Sequence, residues 1–370
     1  MTSQGDPASI SEGEHRPPLT VTPAPRSLAP GRNTTASPRG ARAAGGSTSA
    51  PRIAVLRALQ LGDMLCATPA LRALRAAHRD AHITLVGLPW HRRLTARFSR
   101  YIDDVVALPG YPGLPEQEPC PSAIPAFLAD MHARRFDLAL QLHGAGTVTN
   151  PLTLTFGAHR NAGSYRRGEY CPDANTFLPW RDDEHEVLRM LHVLEAVHVP
   201  SQGTELELPV LADEVEEAST FTGVHGIVDG SYVCVHPGAR VRDKCWPPEA
   251  FARVADGLSA LGLCVVLTGS KEEADLTAAV LRHMRTPALD ATSADLSLGG
   301  LAALLRRARL LVCNDTGVSH MAAALCVPSI VVFTRTNPAR WAPLERARHR
   351  ALVRPRVAEV LELAACMLAR

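Results

Sequence analysis

Aromatic residues make up only 5% of this 370-residue chain, and no run of about 18 consecutive apolar residues interrupts it. The missing run excludes a spanning helix, and the N-terminus lacks the charged-then-apolar layout of a secretory signal. A dominant charge is lacking too. With 39 Lys and Arg against 37 Asp and Glu, the net charge of +2 creates no general field for nucleic acid or an acidic membrane, so any bound anion is held locally. The 9 cysteines include no CxxC pair and no metal-type spacing with histidine. Cys234, Cys264 and Cys313 instead sit in apolar runs, where a free thiol behaves as a small hydrophobe and suits a reducing cytoplasm. A cytoplasmic protein without a nucleic-acid partner is expected, with peripheral membrane contact left open. Also missing are a GxxxxGK[ST] loop, the third glycine that would complete a dinucleotide fingerprint at Gly144-Ala145-Gly146, and any DxD pair to hold a divalent metal against a diphosphate.

What remains is an ordinary globular composition, 46% hydrophobic and 21% charged, long enough for two domains at roughly 150 residues each. Residues 1–50 are rich in Pro, Gly, Ser, Thr, Ala and Arg without one Phe, Trp or Tyr, and are expected to be a disordered tail. From Arg52 the apolar pattern alternates. Strands are expected at 52–58, 82–87, 104–108 and 138–142, with helices at 68–78, 90–100, 124–134 and 184–197. After an interdomain linker over 201–209 the rhythm restarts. Strands at 232–236, 264–268, 310–313 and 329–333 alternate with helices at 213–222, 249–260, 274–284, 300–307 and 318–325, and a helix at 357–368 ends the chain. Such alternation predicts parallel, doubly wound α/β sheets, one in residues 51–200 and one in 210–370, facing each other across a cleft at their strand C-terminal ends. Two stretches read as irregular surface loops: 109–121, punctuated by Pro109, Pro112, Pro115, Pro119 and Pro121, and 165–181.

Three loops carry chemistry, and all follow strands. In Leu61-Gly62-Asp63-Met64, Asp63 is either a helix N-cap or an acid presented at the sheet edge. In the loop running from His236-Pro237-Gly238 to Pro247, Gly238 permits close backbone approach, and Arg240, Arg242 and Lys244 offer charge to phosphate oxygens. In Asn314-Asp315-Thr316-Gly317-Val318-Ser319-His320, free amides at a helix start near Thr316 and Gly317 form an anion site, and His320 falls on the same helix face as Thr316. A capping threonine with a packed histidine is the plainer alternative for this loop. Together the loops place an acid of the first domain opposite a phosphate site of the second, as transfer from a phosphorylated donor to an acceptor requires.

The segments LGDMLCATPALRAL (61–74), VHPGARVRDKCWP (235–247), LTGSKEEADL (267–276) and VCNDTGVSHMAAAL (312–325), in this order, resemble glycosyltransferase family 9, the ADP-heptose:lipopolysaccharide heptosyltransferases of the GT-B fold, from about Arg52 onward. The resemblance implies an inverting transferase that needs neither metal nor other cofactor. It takes a nucleotide diphosphate sugar as donor, heptose by default, and a glycan, lipid-linked or small-molecule acceptor. It also implies Asp63 as catalytic base, Lys244 as donor-binding lysine, Asp315, Thr316 and Gly317 as contacts to donor sugar and diphosphate, and Glu272, beside the second candidate Glu273, as partner of the nucleotide ribose. One stretch departs from the pattern: Phe333-Thr334-Arg335-Thr336-Asn337-Pro338 lacks the glycine that often follows Phe and the aspartate that often precedes Pro. Competing readings are a nucleotide-sugar epimerase or hydrolase on the same architecture, and a non-catalytic nucleotide-sugar-binding module, against which an intact Asp63 argues.

Overall fold

A computed structural model describes residues 50–369; residues 1–49, nearly all of the expected tail, lie outside the described residues. The first sheet contains β1 (Arg52–Leu56), β2 (His82–Gly87), β3 (Asp104–Ala107), β4 (Leu138–Gln141), β5 (Arg160–Tyr165) and β6 (Phe177–Pro179), in the order β3-β2-β1-β4-β5-β6. All pairings are parallel, with Ile53 opposite both Ile83 and Leu138. Its connecting helices are α1 (Leu61–Cys66), α2 (Thr68–Ala77), α3 (Ile124–Ala133), α4 (Thr149–Leu154) and α5 (Glu186–Glu195). Beyond α5, residues 200–211 run without regular structure. Glu207 there receives Arg72 at 2.5 Å and the Tyr101 hydroxyl at 2.9 Å, which pins the segment to the first half of the chain.

The second half starts with α6 (Ala212–Val224), followed by β7 (Tyr232–His236), α7 (Pro248–Ala260), β8 (Cys264–Leu267), α8 (Ala274–His283), β9 (Leu289–Asp290) and α9 (Leu298–Arg306). It continues through β10 (Leu311–Asn314), α10 (Gly317–Ala324), β11 (Ser329–Phe333), α11 (Pro338–Trp341), β12 (His349–Val353) and α12 (Val357–Leu368). The strand order β12-β11-β10-β7-β8-β9 repeats the topology of the first sheet, again wholly parallel. Strands β7, β10 and β11 are buried along their whole length, which explains their continuous apolar sequence: a sheet covered by helices on both faces has no solvent side to encode. The helix boundaries follow local chemistry. Pro248 opens α7, and the Ser297 hydroxyl caps α9 by accepting the Gly300 N–H at 2.9 Å.

Several sequence expectations need correction. In place of a helix over 90–100 there is a 3-10 turn at Pro89–Leu94 followed by irregular turns. The buried His91 ring holds the turn, accepting the Leu88 N–H at 3.1 Å while its other nitrogen lies 2.9 Å from the Leu59 carbonyl oxygen. Strand β6 lies inside the stretch read as irregular, and β5, β9, β12 and α4 were not anticipated. β5 (RNAGSY) and β12 (HRALV) carry too many polar or small residues to show a strand pattern, and the two-residue β9 is too short to carry one.

Candidate active site

In each sheet the chain reverses direction of winding between its first and fourth strands, β1/β4 and β7/β10, the point where doubly wound sheets open a crevice for ligands. The loops after β1, β7 and β10 are the three singled out above. Their meeting depends on Gly62. A Cβ there would stand 2.8 Å from the His320 ring and 3.1 Å from the Gly317 Cα, so the starts of α1 and α10 approach closely because this residue has no side chain.

Asp63 is the third residue of α1, whose N-cap is Gln60, so the capping alternative is set aside. Among the described residues no backbone N–H donates to its carboxylate; its charged neighbour is Arg57, at 3.8 Å, and its side chain is 24% exposed. The carboxylate lines a cavity of about 310 Å³ together with Arg240, Lys244, Asp315, Thr316, Gly317 and His320, and with Gln60 and Trp341, which the sequence reading did not single out. The side chains come from both sheets. Lys244 Nζ lies 3.6 Å from Asp315 Oδ2, the same oxygen that accepts the Thr336 hydroxyl at 2.5 Å. Thr316 caps α10 from an extended conformation without a side-chain bond, so its side chain does not take up the first amides of the helix, whose start at Thr316 and Gly317 lines the cavity.

His320 is buried, its Nδ1 3.5 Å from the Cys66 sulfur and its ring edge-on to Trp341 at 6.1 Å. Burial lowers its pKa below the usual histidine value, against the pull of Asp315, Asp63 and Glu186.

The basic loop is held at its two ends. Asn314, fully buried at the end of β10, donates to the Pro237 carbonyl at 2.7 Å and accepts the Trp246 N–H at 2.9 Å, so one side chain clamps both ends of the loop. A second groove of about 530 Å³ shares Leu61, Ala239, Arg240, Thr316 and Gly317 with the first cavity and continues past Glu272 to a wall of Leu296, Leu298, Leu301 and Met321. The combined shape has a charged centre and an apolar-sided arm, which suits a diphosphate joined to a nucleoside.

Two adjacent acids separate here. Glu273 accepts the Ser270 N–H at 2.9 Å and lies 3.7 Å from His236, while Glu272 is exposed, its carboxyl held below the usual range by its own backbone and the Ser270 hydroxyl. Gly238 lines neither cavity. A Cβ at that position would fall 2.3 Å from the Glu273 carboxylate, so the glycine makes room for Glu273 rather than for a ligand.

On the first sheet's side, the Pro-rich loop returns Glu116 to within 3.7 Å of His143, at the end of β4. Burial would raise the Glu116 carboxyl, but His143, with a weaker contribution from Arg240 of the other half, holds it below the usual carboxylate range. Sequence reasoning missed this pair. It also missed Arg57, Glu186, Arg189 and Arg340, which form a cluster under Asp63. Only Arg57 left a trace, as a lone charge closing the apolar run Ile53–Leu56.

Two parallel α/β halves with matching strand order and one cleft lined from both define a two-domain, GT-B-like protein. A family model described as glycosyltransferase family 9 (heptosyltransferase) matches residues 127–358, and the chain belongs to that family. It is 34% identical to lipopolysaccharide heptosyltransferase 3 of Escherichia coli over 121 residues, which cover 32% of this chain and 36% of that protein, so the likeness spans about a third of that curated relative. Among solved structures, glycosyl transferase family 9 from Veillonella parvula DSM 2008 matches with a TM-score of 0.74 at 23% identity, over 86% of this chain and 97% of that one. E. coli ADP-heptose lps heptosyltransferase II matches with a TM-score of 0.67 at 20% identity, over 86% and 98%. At these identities the two structures speak for the fold.

Proposed function

We propose that this protein transfers a sugar, heptose by default, from a nucleotide diphosphate donor such as ADP-heptose to a hydroxyl of a lipopolysaccharide-type acceptor, with inversion and without a metal ion. The observation that carries the reading is the single cavity in which Asp63 of one half faces Lys244, Arg240 and the amide end of α10 in the other. The names of the relatives above supply the sugar and the acceptor class.

In this reading the diphosphate lies over Gly317, with Lys244 and Arg240 on its oxygens, the ribose reaches Glu272, and the base enters the apolar-sided arm. Asp315, held by Thr336, meets the donor sugar. The acceptor enters from the first half, where Asp63 takes the proton of its hydroxyl. That oxygen attacks the anomeric carbon, the bond from this carbon to the diphosphate oxygen breaks, and its electron pair leaves on the nucleoside diphosphate. The new charge falls on Lys244 and the helix amides, while the proton on Asp63 later passes to water. An approach from the side opposite the leaving group inverts the anomeric centre.

Calorimetric titration with ADP-heptose, GDP-sugars and UDP-sugars in EDTA tests the donor site, and mass spectrometry of a core-oligosaccharide acceptor tests transfer. Selective binding of one donor without metal, with a mass gain on the acceptor, is the expected result. Binding that appears only when magnesium is added would overturn the metal-free site.

A further inference from the structure

Directly beneath Asp63 lies a cluster of charges that the transfer chemistry does not use. Arg57, fully buried at the end of β1, donates from Nε to the Asp63 carbonyl oxygen at 2.8 Å and from Nη1 to the Leu142 carbonyl oxygen. Its Nη2 stands 3.2 Å from Glu186 Oε1 and 3.8 Å from Asp63 Oδ1, so one nitrogen is shared between an interior carboxylate and the carboxylate of the cleft. The other oxygen of Glu186 accepts Arg189 Nη1 and, from the second half of the chain, Arg340 Nη2 at 3.2 Å. Arg340 sits on α11 with its guanidinium 5.1 Å from the Trp180 ring and 4.7 Å from that of Trp341, the tryptophan that lines the cavity.

We propose that Glu186 is a positioning residue for Asp63: it divides its charge among Arg57 and Arg189 of the first half and Arg340 of the second, so that the orientation and field at the Asp63 carboxylate depend on α11 being seated. The proposal rests on the reading of Asp63 as the base. Its physical content is a balance of charge. Loss of the Glu186 charge leaves Arg57 facing Asp63 without its interior counter-ion, whereas loss of the Arg340 charge leaves Glu186 less compensated and the field more negative. Other charged or titratable groups around Asp63 are Cys66 on its own helix, His320 and Asp315 at α10, and Lys244 and Arg240 across the cavity. None of these is altered in the variants below.

The test is the pH dependence of kcat for Glu186→Gln, Arg340→Met and Arg340→Lys, with folding checked by thermal melting and donor affinity by titration with ADP-heptose. The acid limb is expected to move down by about one pH unit in Glu186→Gln and up by about half a unit in Arg340→Met, and to return toward the wild-type position in Arg340→Lys. A merely structural network predicts otherwise: loss of rate with an unmoved limb, or movement in the same direction in both, overturns the proposal. If Glu186→Gln does not fold, the two Arg340 variants decide, since Arg340 is partly exposed and a limb that is the same in Met and Lys overturns the coupling. Asp63→Ala separates the two levels. An active Asp63→Ala removes the base and the proposal with it, whereas an inactive Asp63→Ala with unmoved limbs elsewhere removes the proposal alone.

Discussion

Asp63, Lys244 and Asp315 in the cleft each have a charged neighbour. Asp63 projects from the first turn of α1 with Arg57 behind it, and Lys244 is turned toward Asp315. Asp63→Ala is therefore expected to lower kcat about 10²- to 10⁴-fold while ADP-heptose affinity by calorimetry stays close to wild type. Lys244→Ala is expected to weaken both, with kcat down by about 10²-fold, because in the proposed mechanism its contact to the leaving diphosphate strengthens as charge develops. Equal loss in the two variants, on rate and affinity alike, would contradict this division of labour. Asp63, Lys244, Thr316 and His320 were legible in the sequence because each stands just after a strand, where chain order and spatial order coincide. Glu186 and Arg340 lie 154 positions apart and meet only through packing, so no local pattern marks them.

At the scale of elements, the site is a meeting of two helix starts and one clamped loop. Gly62→Ala inserts a methyl group where the His320 ring and Gly317 already stand, so α1 must move away from α10. A fall in kcat of about tenfold or more is expected, with the melting temperature lowered; an unchanged rate would show that the approach of the two helices is not needed. Asn314→Ala removes both anchors of the loop between β7 and α7, and the expected outcome is weaker donor binding, by calorimetry, with Asp63 untouched. The strands of the core were readable because buried parallel strands are continuous apolar runs. The polar edge strands β5 and β12, and the 3-10 turn at Pro89–Leu94, were not: their conformation is set by neighbouring strands and by His91 rather than by their own residue preferences.

For the whole molecule, acid is the expected weakness. Burial lowers the pKa of His91, His185 and His349 to about 4 in the folded protein, whereas an unfolded histidine titrates near 6.5. The unfolded chain thus binds more protons between these values. The stability contributed by the three neutral rings is full above about pH 6.5 and is lost as pH falls toward about 4, by up to ~1.4 kcal/mol per pH unit for each ring. Glu186 acts in the same direction. Burial alone would raise its carboxyl, but Arg57, Arg189 and Arg340 hold it below the ordinary range, and its contribution disappears at still lower pH. Melting temperature measured from pH 7.5 to 4.5 is expected to fall progressively below 6.5, and less steeply in His349→Gln; a flat profile would show that these rings are not buried in solution.

The repeated strand order has an evolutionary consequence. In the proposed reading the donor contacts are encoded mainly after β7, β8 and β10 and the acceptor-side acid after β1, so a change confined to one half would bear chiefly on one substrate, as long as α1 still packs on α10. Recombination between relatives at residues 200–211 therefore offers a route to new acceptor and donor combinations, provided that the incoming half brings a partner for Glu186.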